Sequence, residues 1–202
     1  MRSSDAGSNR HQKSVGTLVL VVGPSGAGKD SIIAGAKALL RDETRVVFAR
    51  RLITRPDDAG GEDHIAVSPA EFARRRDAGE LLLHWEAHGL CYALPRSLAE
   101  ARRAGGCVVA NVSRSIIAEA RLNLPPVAVI LITAPAGVLA TRLAARGRET
   151  TADIEHRLRR EVPDVPADFA INNDGALSTA VARFTAILRG LAAQPDSVPP
   201  NG

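Results

Sequence analysis

Apolar and polar positions alternate along the chain in blocks of two periods. Val15–Val22 is an unbroken apolar run apart from Gly16 and Thr17, too short for a helix of its own and rich in β-branched residues, so it reads as a buried strand. Asp30 to Leu40 then places Ile32, Ile33, Ala36, Leu39 and Leu40 on one helical face. Val46 to Ala49 is a second short strand, and Ile65–Val67 a brief third one. Ser68-Pro69-Ala70-Glu71 forms a capping box with proline at the first helical position, which predicts a helix from Pro69 to about Asp77. Leu81–Trp85 and Leu90–Leu94 read as a hairpin across a turn near His88-Gly89. A helix is expected over Pro95–Arg103, a strand over Cys107–Val112, a helix over Arg114–Arg121 and a central strand over Val127–Thr133. After Pro135 comes a helix with Val138, Leu139 and Leu143 inward. Phe169–Asn172 is a last strand, and Ala176–Leu191 closes the chain with Leu177, Val181, Phe184, Ile187, Leu188 and Leu191 on its apolar face.

Strands alternating with helices imply an α/β fold: a parallel sheet flanked by helices, with a small inserted β-region. Ligands of such sheets lie beyond the carboxyl ends of the strands. That is where the chain places its most informative stretch, Gly23-Pro24-Ser25-Gly26-Ala27-Gly28-Lys29, which satisfies G-x-x-x-x-G-K between a strand and a helix. The glycines permit backbone approaches that a side chain would block, so successive N–H groups can face one anion. The helix start adds its positive dipole end, and Lys29 a mobile charge for β- and γ-phosphates. The pattern expects Ser or Thr next, to hold Mg²⁺. Here Asp30 stands there and Ser31 follows one place late. Asp30 is open to two readings, a hard oxygen ligand for Mg²⁺ or a charge that favours the helix start.

Charge narrows the ligand class. At 202 residues and 45% apolar content the chain suits one domain with a substantial core. The expected division is a disordered segment over 1–14, a single P-loop domain over 15–192 and a flexible tail over 193–202. Net charge is +4 and the pI about 9.7, with only Lys13, Lys29 and Lys37 as lysines among 26 basic residues. An aromatic content of 3% argues against a base-stacking nucleic-acid surface. The arginine excess fits an anionic small-molecule substrate instead. Arg50, Arg51 and Arg55 beside the flexible Asp57-Asp58 and Gly60-Gly61 stretch point to an anion-binding loop rather than a solvated connection. Arg74-Arg75-Arg76 reads as a solvated face. Arg142, Arg146, Arg148, Arg157, Arg159 and Arg160 fall within nineteen residues around Gly147, where a hinge would sit. Cys91 and Cys107 have no metal-type pairing and read as two small buried hydrophobes. No apolar run reaches membrane-spanning length, and the polar N-terminus resembles no secretory signal, so the expectation is a cytoplasmic protein with no membrane partner.

Over roughly residues 17–190 the chain resembles the guanylate-kinase-like fold. The resemblance rests on GPSGAGKDS, Ile53-Thr54-Arg55, the His64–Phe72 stretch, HWEAHGLCYAL, and RGRE followed by Ile154, Arg157 and Leu158. More closely it is similar to the ribose 1,5-bisphosphate phosphokinases of bacterial phosphonate degradation, through GKDS, Asn111-Val112-Ser113-Arg114 and Asn172 to Gly175. It departs from guanylate kinases where His84 replaces the acid before the tryptophan, Asp58 a second arginine, His64 a tyrosine, and Asn111 and Ser113 another acid for the base. These losses imply a poor fit for GMP.

The resemblance implies ATP and Mg²⁺ as co-substrate and cofactor, and a sugar-phosphate acceptor. It implies γ-phosphoryl transfer onto the 1-phosphate of ribose 1,5-bisphosphate, giving 5-phosphoribosyl 1-diphosphate. Gly23 to Ser31 would hold ATP, with Lys29 also stabilising the transferring group. Arg55 would take an acceptor phosphate, with Arg51 and His64 beside it in an insert over about 50–94. Arg146, Arg148 and Arg157 would belong to an Arg-rich lid over about 146–160, supported by Arg142. Asn172 and Asn173 either touch the adenosine or serve as turn residues. The competing readings are a nucleoside monophosphate kinase and a non-catalytic binding module, the latter expecting a degraded P-loop. Either a monomer or a homodimer is compatible with the sequence.

Overall fold

A strand buried on both faces belongs inside a covered parallel sheet, and β1 (Leu18–Val22) is fully buried at all five positions. The computed structural model describes residues 14–56, 63–144 and 166–193. In it β1 is the middle strand of a five-stranded sheet. One neighbour is β7 (Cys107–Asn111), which leads outward to β2 (Val46–Phe48); the other is β8 (Val127–Thr133), which leads to β9 (Phe169–Asn172). Every pairing is parallel, with Val21 opposite Asn111 on one side and Ile130 on the other.

Side chains of β1 alternate between two cores. Val19 and Val21 pack with Ile130 and Ile132 against α1 (Lys29–Leu39) and the closing helix α6 (Leu177–Ala193), through Ile32, Ala36, Phe184 and Leu188. A Cβ on Gly35 would stand 2.7 Å from the Val181 side chain, so glycine is what lets α1 and α6 approach so closely. Leu18, Leu20 and Val22 face the other core, with Ile116, Ile117 and Ala120 from a 3-10 turn (Arg114–Ile116) and α4 (Ile117–Asn123). Burying each such leucine or phenylalanine contributes about 1.5–3 kcal/mol.

The second core also receives Leu83, Trp85 and Leu94 from a small four-stranded sheet. Its order is β4 (Ile65–Ala66), β3 (Leu52–Ile53), β6 (Leu90–Pro95) and β5 (Leu81–Ala87). The β5–β6 hairpin turns at His88 (φ 52°) and Gly89 (φ 72°), two consecutive left-handed residues that suit a two-residue hairpin loop. α2 (Pro69–Asp77) begins as the capping box requires, Ser68 Oγ accepting from the Glu71 N–H at 3.1 Å. Glu71 takes hydrogen bonds from Arg74 and Arg75, which hold its carboxyl down at about 2. Arg76 pairs with Asp77, so the arginine triplet is a surface ion-pair network.

Several expectations change. Leu39 is 59% exposed and Leu177 46% exposed, because the buried stripe of α1 runs Ile32, Ala36, Leu40 and α6 presents Val181 rather than its first residue. Leu52–Ile53, expected within a loop, is a buried strand. Pro95 ends β6, and α3 spans Leu98–Arg103. The helix expected from Arg114 opens as the 3-10 turn, with the Ser113 hydroxyl accepting from the Ser115 N–H. Cys107 is buried, but Cys91 only half so. Among the described residues no helix is long and apolar enough to cross a membrane. The expected lid with Arg146, Arg148 and Arg157, Asp58, the tail, and most of the N-terminal segment lie outside the described residues.

Candidate active site

The chain leaves β1 through a glycine cradle. Gly23 has φ 148°, and a Cβ there would collide with the Ile132 carbonyl oxygen of the adjacent strand. Gly28, at φ 89°, is the N-cap of α1 and offers no side-chain cap. Gly28 thus contributes no side-chain oxygen to the first turn of α1, the arrangement in which a helix start receives an anion. Lys29 Nζ donates to the carbonyls of Gly23 (2.8 Å) and Pro24 (3.0 Å), lying across the cradle it closes. Ala27 is fully buried and anchors the loop from below.

Two distant residues reach this loop. Asn173, 3% exposed just after β9, donates its side-chain amide to the Ala27 carbonyl at 2.8 Å. Arg142, from α5 (Ala136–Ala144), brings Nη1 to 3.9 Å from where a Gly28 Cβ would lie. That nitrogen is buried and has no hydrogen-bond partner among the described residues. A desolvated guanidinium nitrogen beside a phosphate cradle fits a bound polyanion. Asn172 instead donates to Asp174 at 2.7 Å. The asparagine pair therefore splits into one residue that holds the loop and one that pairs within its own turn, and neither is among the residues lining the cavity described next.

A cavity of about 550 Å³ opens over the loop. Gly23, Pro24, Ser25, Gly26, Gly28, Lys29 and Asp30 form one wall; Arg51, Trp85, Tyr92 and His88 of the small sheet form another. Asn111 at the end of β7, and Ser113 and Arg114 just beyond it at the 3-10 turn, also line the cavity. Trp85 and Tyr92 stack with centroids 5.5 Å apart and planes 9° from parallel. The Arg51 guanidinium carbon lies 5.8 Å from the Trp85 centroid and 5.1 Å from that of Tyr92. Such a cation–π contact contributes about 0.5–2 kcal/mol and holds the charge at the cavity wall.

The other expected acceptor ligands sit differently. Arg55 and His64 are not among the lining residues, and neither is Ser31. Arg55 nevertheless carries buried Nε and Nη2 atoms without hydrogen-bond partners among the described residues, which suits an anion arriving there. His64 is 5% exposed, its Nε2 lying 3.2 Å from the Arg55 carbonyl oxygen. It supports the backbone of Arg55 rather than facing the cavity. His84 is exposed, on the opposite side of β5 from Trp85, and does not line the cavity.

Sequence reading missed the Trp85–Tyr92–Arg51 stack, the cavity position of Arg114 and the Asn173 brace. The hairpin turn at His88-Gly89 held a signal for the first, because it fixes the register that pairs Trp85 with Tyr92. Asp30 Oδ1 accepts from Asn111 Nδ2 at 2.8 Å, both residues lining the cavity. Among the described residues no group of three or more His, Cys, Asp or Glu side chains could hold a metal ion. Mg²⁺ in phosphoryl transfer sites needs only one or two protein carboxylates beside the nucleotide, and the Asp30 carboxylate fits that ion.

Fold and cradle together define a P-loop protein of guanylate-kinase architecture. Guanylate kinase from Anaplasma phagocytophilum matches with a TM-score of 0.64 over 92% of this chain and 89% of that one, at 22% identity. No protein-family model matches the chain. The ribose 1,5-bisphosphate phosphokinase PhnN of Rhodopseudomonas palustris is 52% identical over 79% of this chain and 81% of its own length. A bifunctional ribose 1,5-bisphosphokinase-thymidine phosphorylase of Cupriavidus pinatubonensis is 50% identical over 93% of this chain. The chain spans about a third of the length of that bifunctional relative. The chain belongs to the ribose 1,5-bisphosphate phosphokinase family.

Proposed function

We propose that this protein transfers the γ-phosphoryl group of ATP to the 1-phosphate of ribose 1,5-bisphosphate, yielding 5-phospho-α-D-ribose 1-diphosphate and ADP, as a cytoplasmic step of organic phosphonate catabolism. The observation that carries this is the single cavity joining the Gly23–Lys29 cradle to the Arg51–Trp85–Tyr92 wall, in a chain half identical to phosphokinases of that name. A nucleotide's phosphates fit one wall and an anionic acceptor the other.

The reaction breaks the bond between the γ-phosphorus and the oxygen bridging to ADP, and forms one to an oxygen of the 1-phosphate. That acceptor is already ionised near neutral pH, so no general base is required; catalysis is positioning and charge stabilisation. The cradle N–H groups and Lys29 hold the β- and γ-phosphates, Lys29 following the charge as it spreads over the transferred group. Arg142 adds its buried nitrogen at the cradle. Arg55 takes an acceptor phosphate, with His64 supporting it, and Arg51 takes a second anionic group of the sugar. Arg146, Arg148 and Arg157 form the lid, at about 146–160, that excludes water, and the acceptor insert occupies about 50–94. Asp30, helped by Asn111, would hold Mg²⁺, which supplies neutralisation of the nucleotide phosphates. The protein acts as a monomer or homodimer and needs neither nucleic acid nor membrane.

The test is ADP release with ATP and Mg²⁺, comparing ribose 1,5-bisphosphate with GMP and using Lys29→Ala as control. Turnover with the sugar bisphosphate, lost in the variant, is expected. Faster turnover with GMP would replace this reading by a nucleoside monophosphate kinase, and absence of ATP binding would replace it by a binding module.

A further inference from the structure

P-loop proteins ordinarily hold Mg²⁺ with two side chains: a Ser or Thr hydroxyl directly after the loop lysine, and an Asp from a separate strand motif. In this chain the place after Lys29 belongs to Asp30, so the loop supplies a carboxylate where a hydroxyl is usual. β7, hydrogen-bonded to β1 in register Val21 to Asn111, ends not in an acid but in the amide of Asn111. The two departures meet: Asn111 Nδ2 donates to Asp30 Oδ1 at 2.8 Å.

We infer that the acid and its neutral counterpart have exchanged places, with Asp30 as the metal-facing acid and Asn111 as its positioning residue. The chemistry of the pair fixes its polarity. An ionised carboxylate has no hydrogen to donate, so the amide N–H₂ of Asn111 must face it, and the bond occupies one Asp30 oxygen while leaving the other for a cation. Asp30 is exposed in the first turn of α1, where its short side chain would otherwise sample several rotamers. An aspartate at 111 would instead set two carboxylates within hydrogen-bonding distance, a pair that resists full ionisation. Given an acid at 30, a neutral partner at 111 is therefore the electrostatically consistent choice. Both side chains line the same cavity as Gly28 and Lys29, so a cation held there would adjoin the nucleotide phosphates.

The inference rests on the nucleotide-binding reading of the cradle and not on the identity of the acceptor. Its test is Mn²⁺, substituted for Mg²⁺, titrated into the protein saturated with ADP, the free ion being read by electron paramagnetic resonance. Asp30→Ala is expected to weaken Mn²⁺ about tenfold or more, and Asn111→Ala about tenfold, the scale on which partners of metal ligands act. In the Asp30→Ala background, Asn111→Ala should add nothing. The exchange variant Asp30→Ser with Asn111→Asp should return to within about threefold of the parent, whereas Asp30→Ser alone stays weak. A cooperative thermal transition and parent-like circular dichroism confirm that each variant is folded, and each is saturated with ADP at its own measured affinity. A loss from Asn111→Ala that is as large without Asp30 as with it would overturn the positioning role. An exchange variant no better than Asp30→Ser alone would overturn the exchange itself. Neither readout requires turnover of ribose 1,5-bisphosphate, so failure here and failure of the proposed reaction are separately visible.

Discussion

The Asn173 side-chain amide donates to the Ala27 carbonyl at 2.8 Å across 146 positions of sequence, while the Asn173 backbone N–H donates to Thr133 at 2.7 Å. A strand end thereby sets the height of the phosphate cradle, and a Cβ on Gly28 would strike the same amide. Asn173→Ala leaves a buried carbonyl without its donor and should lower unfolding free energy by about 1–3 kcal/mol. Asn173→Asp turns a carboxylate toward that carbonyl and should weaken ATP binding more than alanine does. Denaturant unfolding and calorimetric ATP titration measure both; equal ATP affinities in the two variants would show that the amide does not shape the cradle.

That bond also marks what sequence makes legible. The cradle itself is contiguous, so Gly23 to Lys29 is readable from spacing and flanking periodicity alone. Its distant neighbours are not, because Asn173 and Arg142 reach it only after the sheet has ordered β8 and β9 beside β1. Asp30 and Asn111 are each visible as departures from a pattern, but 81 positions separate them and only the register of β1 with β7 brings them together. Leu52–Ile53 was hidden for a different reason: two residues between arginines and turn formers carry no period, and the strand exists because β4 and β6 pair with it. Leu39 fits a helical stripe on paper, yet the sheet covers a narrower face than the stripe suggests.

Arg102 is a buried cation with no carboxylate partner among the described residues. It is 4% exposed, and donates from Nε to Gly16 at 2.9 Å and from Nη2 to Leu124 at 2.7 Å and Pro126 at 3.1 Å. These carbonyls belong to the segments entering β1 and β8, so one side chain staples two strand starts. Burial lowers its pKa from the usual arginine value, but guanidinium remains charged. Arg102→Met orphans the Gly16 and Leu124 carbonyls, Pro126 keeping the Leu18 N–H at 2.9 Å, and should cost about 2 kcal/mol or more, with a melting temperature lower by roughly 4–8 °C. Arg102→Lys should fall between, since an ammonium lacks the fork. The KM for ATP of the folded fraction should not move, because Arg102 is remote from the cavity lining. A thermal scan on both variants decides it.

The two cysteines should separate chemically. Burial pushes the Cys107 thiol up to about 12 from 9.0, since a thiolate inside the core loses its hydration. At pH 8 a thiol reagent should modify half-buried Cys91 and spare Cys107 until the protein is denatured. The raised native pKa means the folded state binds the proton more tightly. Its contribution to stability is therefore complete below pH 9 and is lost as pH rises toward about 12. The urea midpoint should fall more steeply above pH 9 in the parent than in Cys107→Ala; parallel slopes would place the alkaline loss elsewhere.

Arg51 supplies the sharpest test of which wall takes the acceptor. Its guanidinium rests 5.1 Å from the Tyr92 centroid and 5.8 Å from that of Trp85, the chain's single tryptophan. An anion that pairs with Arg51 must alter the charge beside that indole, so ribose 1,5-bisphosphate should change Trp85 fluorescence in the absence of ATP. Arg51→Lys keeps the charge but loses the planar fork and the stacking, and should raise the KM for the sugar about tenfold. The KM for ATP should stay near that of the parent. Trp85→Leu removes one ring of the platform and should weaken sugar binding by a smaller factor, in keeping with about 0.5–2 kcal/mol for a cation–π contact. If Arg51→Lys raises the KM for ATP and leaves that of the sugar unchanged, the two walls have been assigned the wrong way round, and the aromatic platform serves the nucleotide.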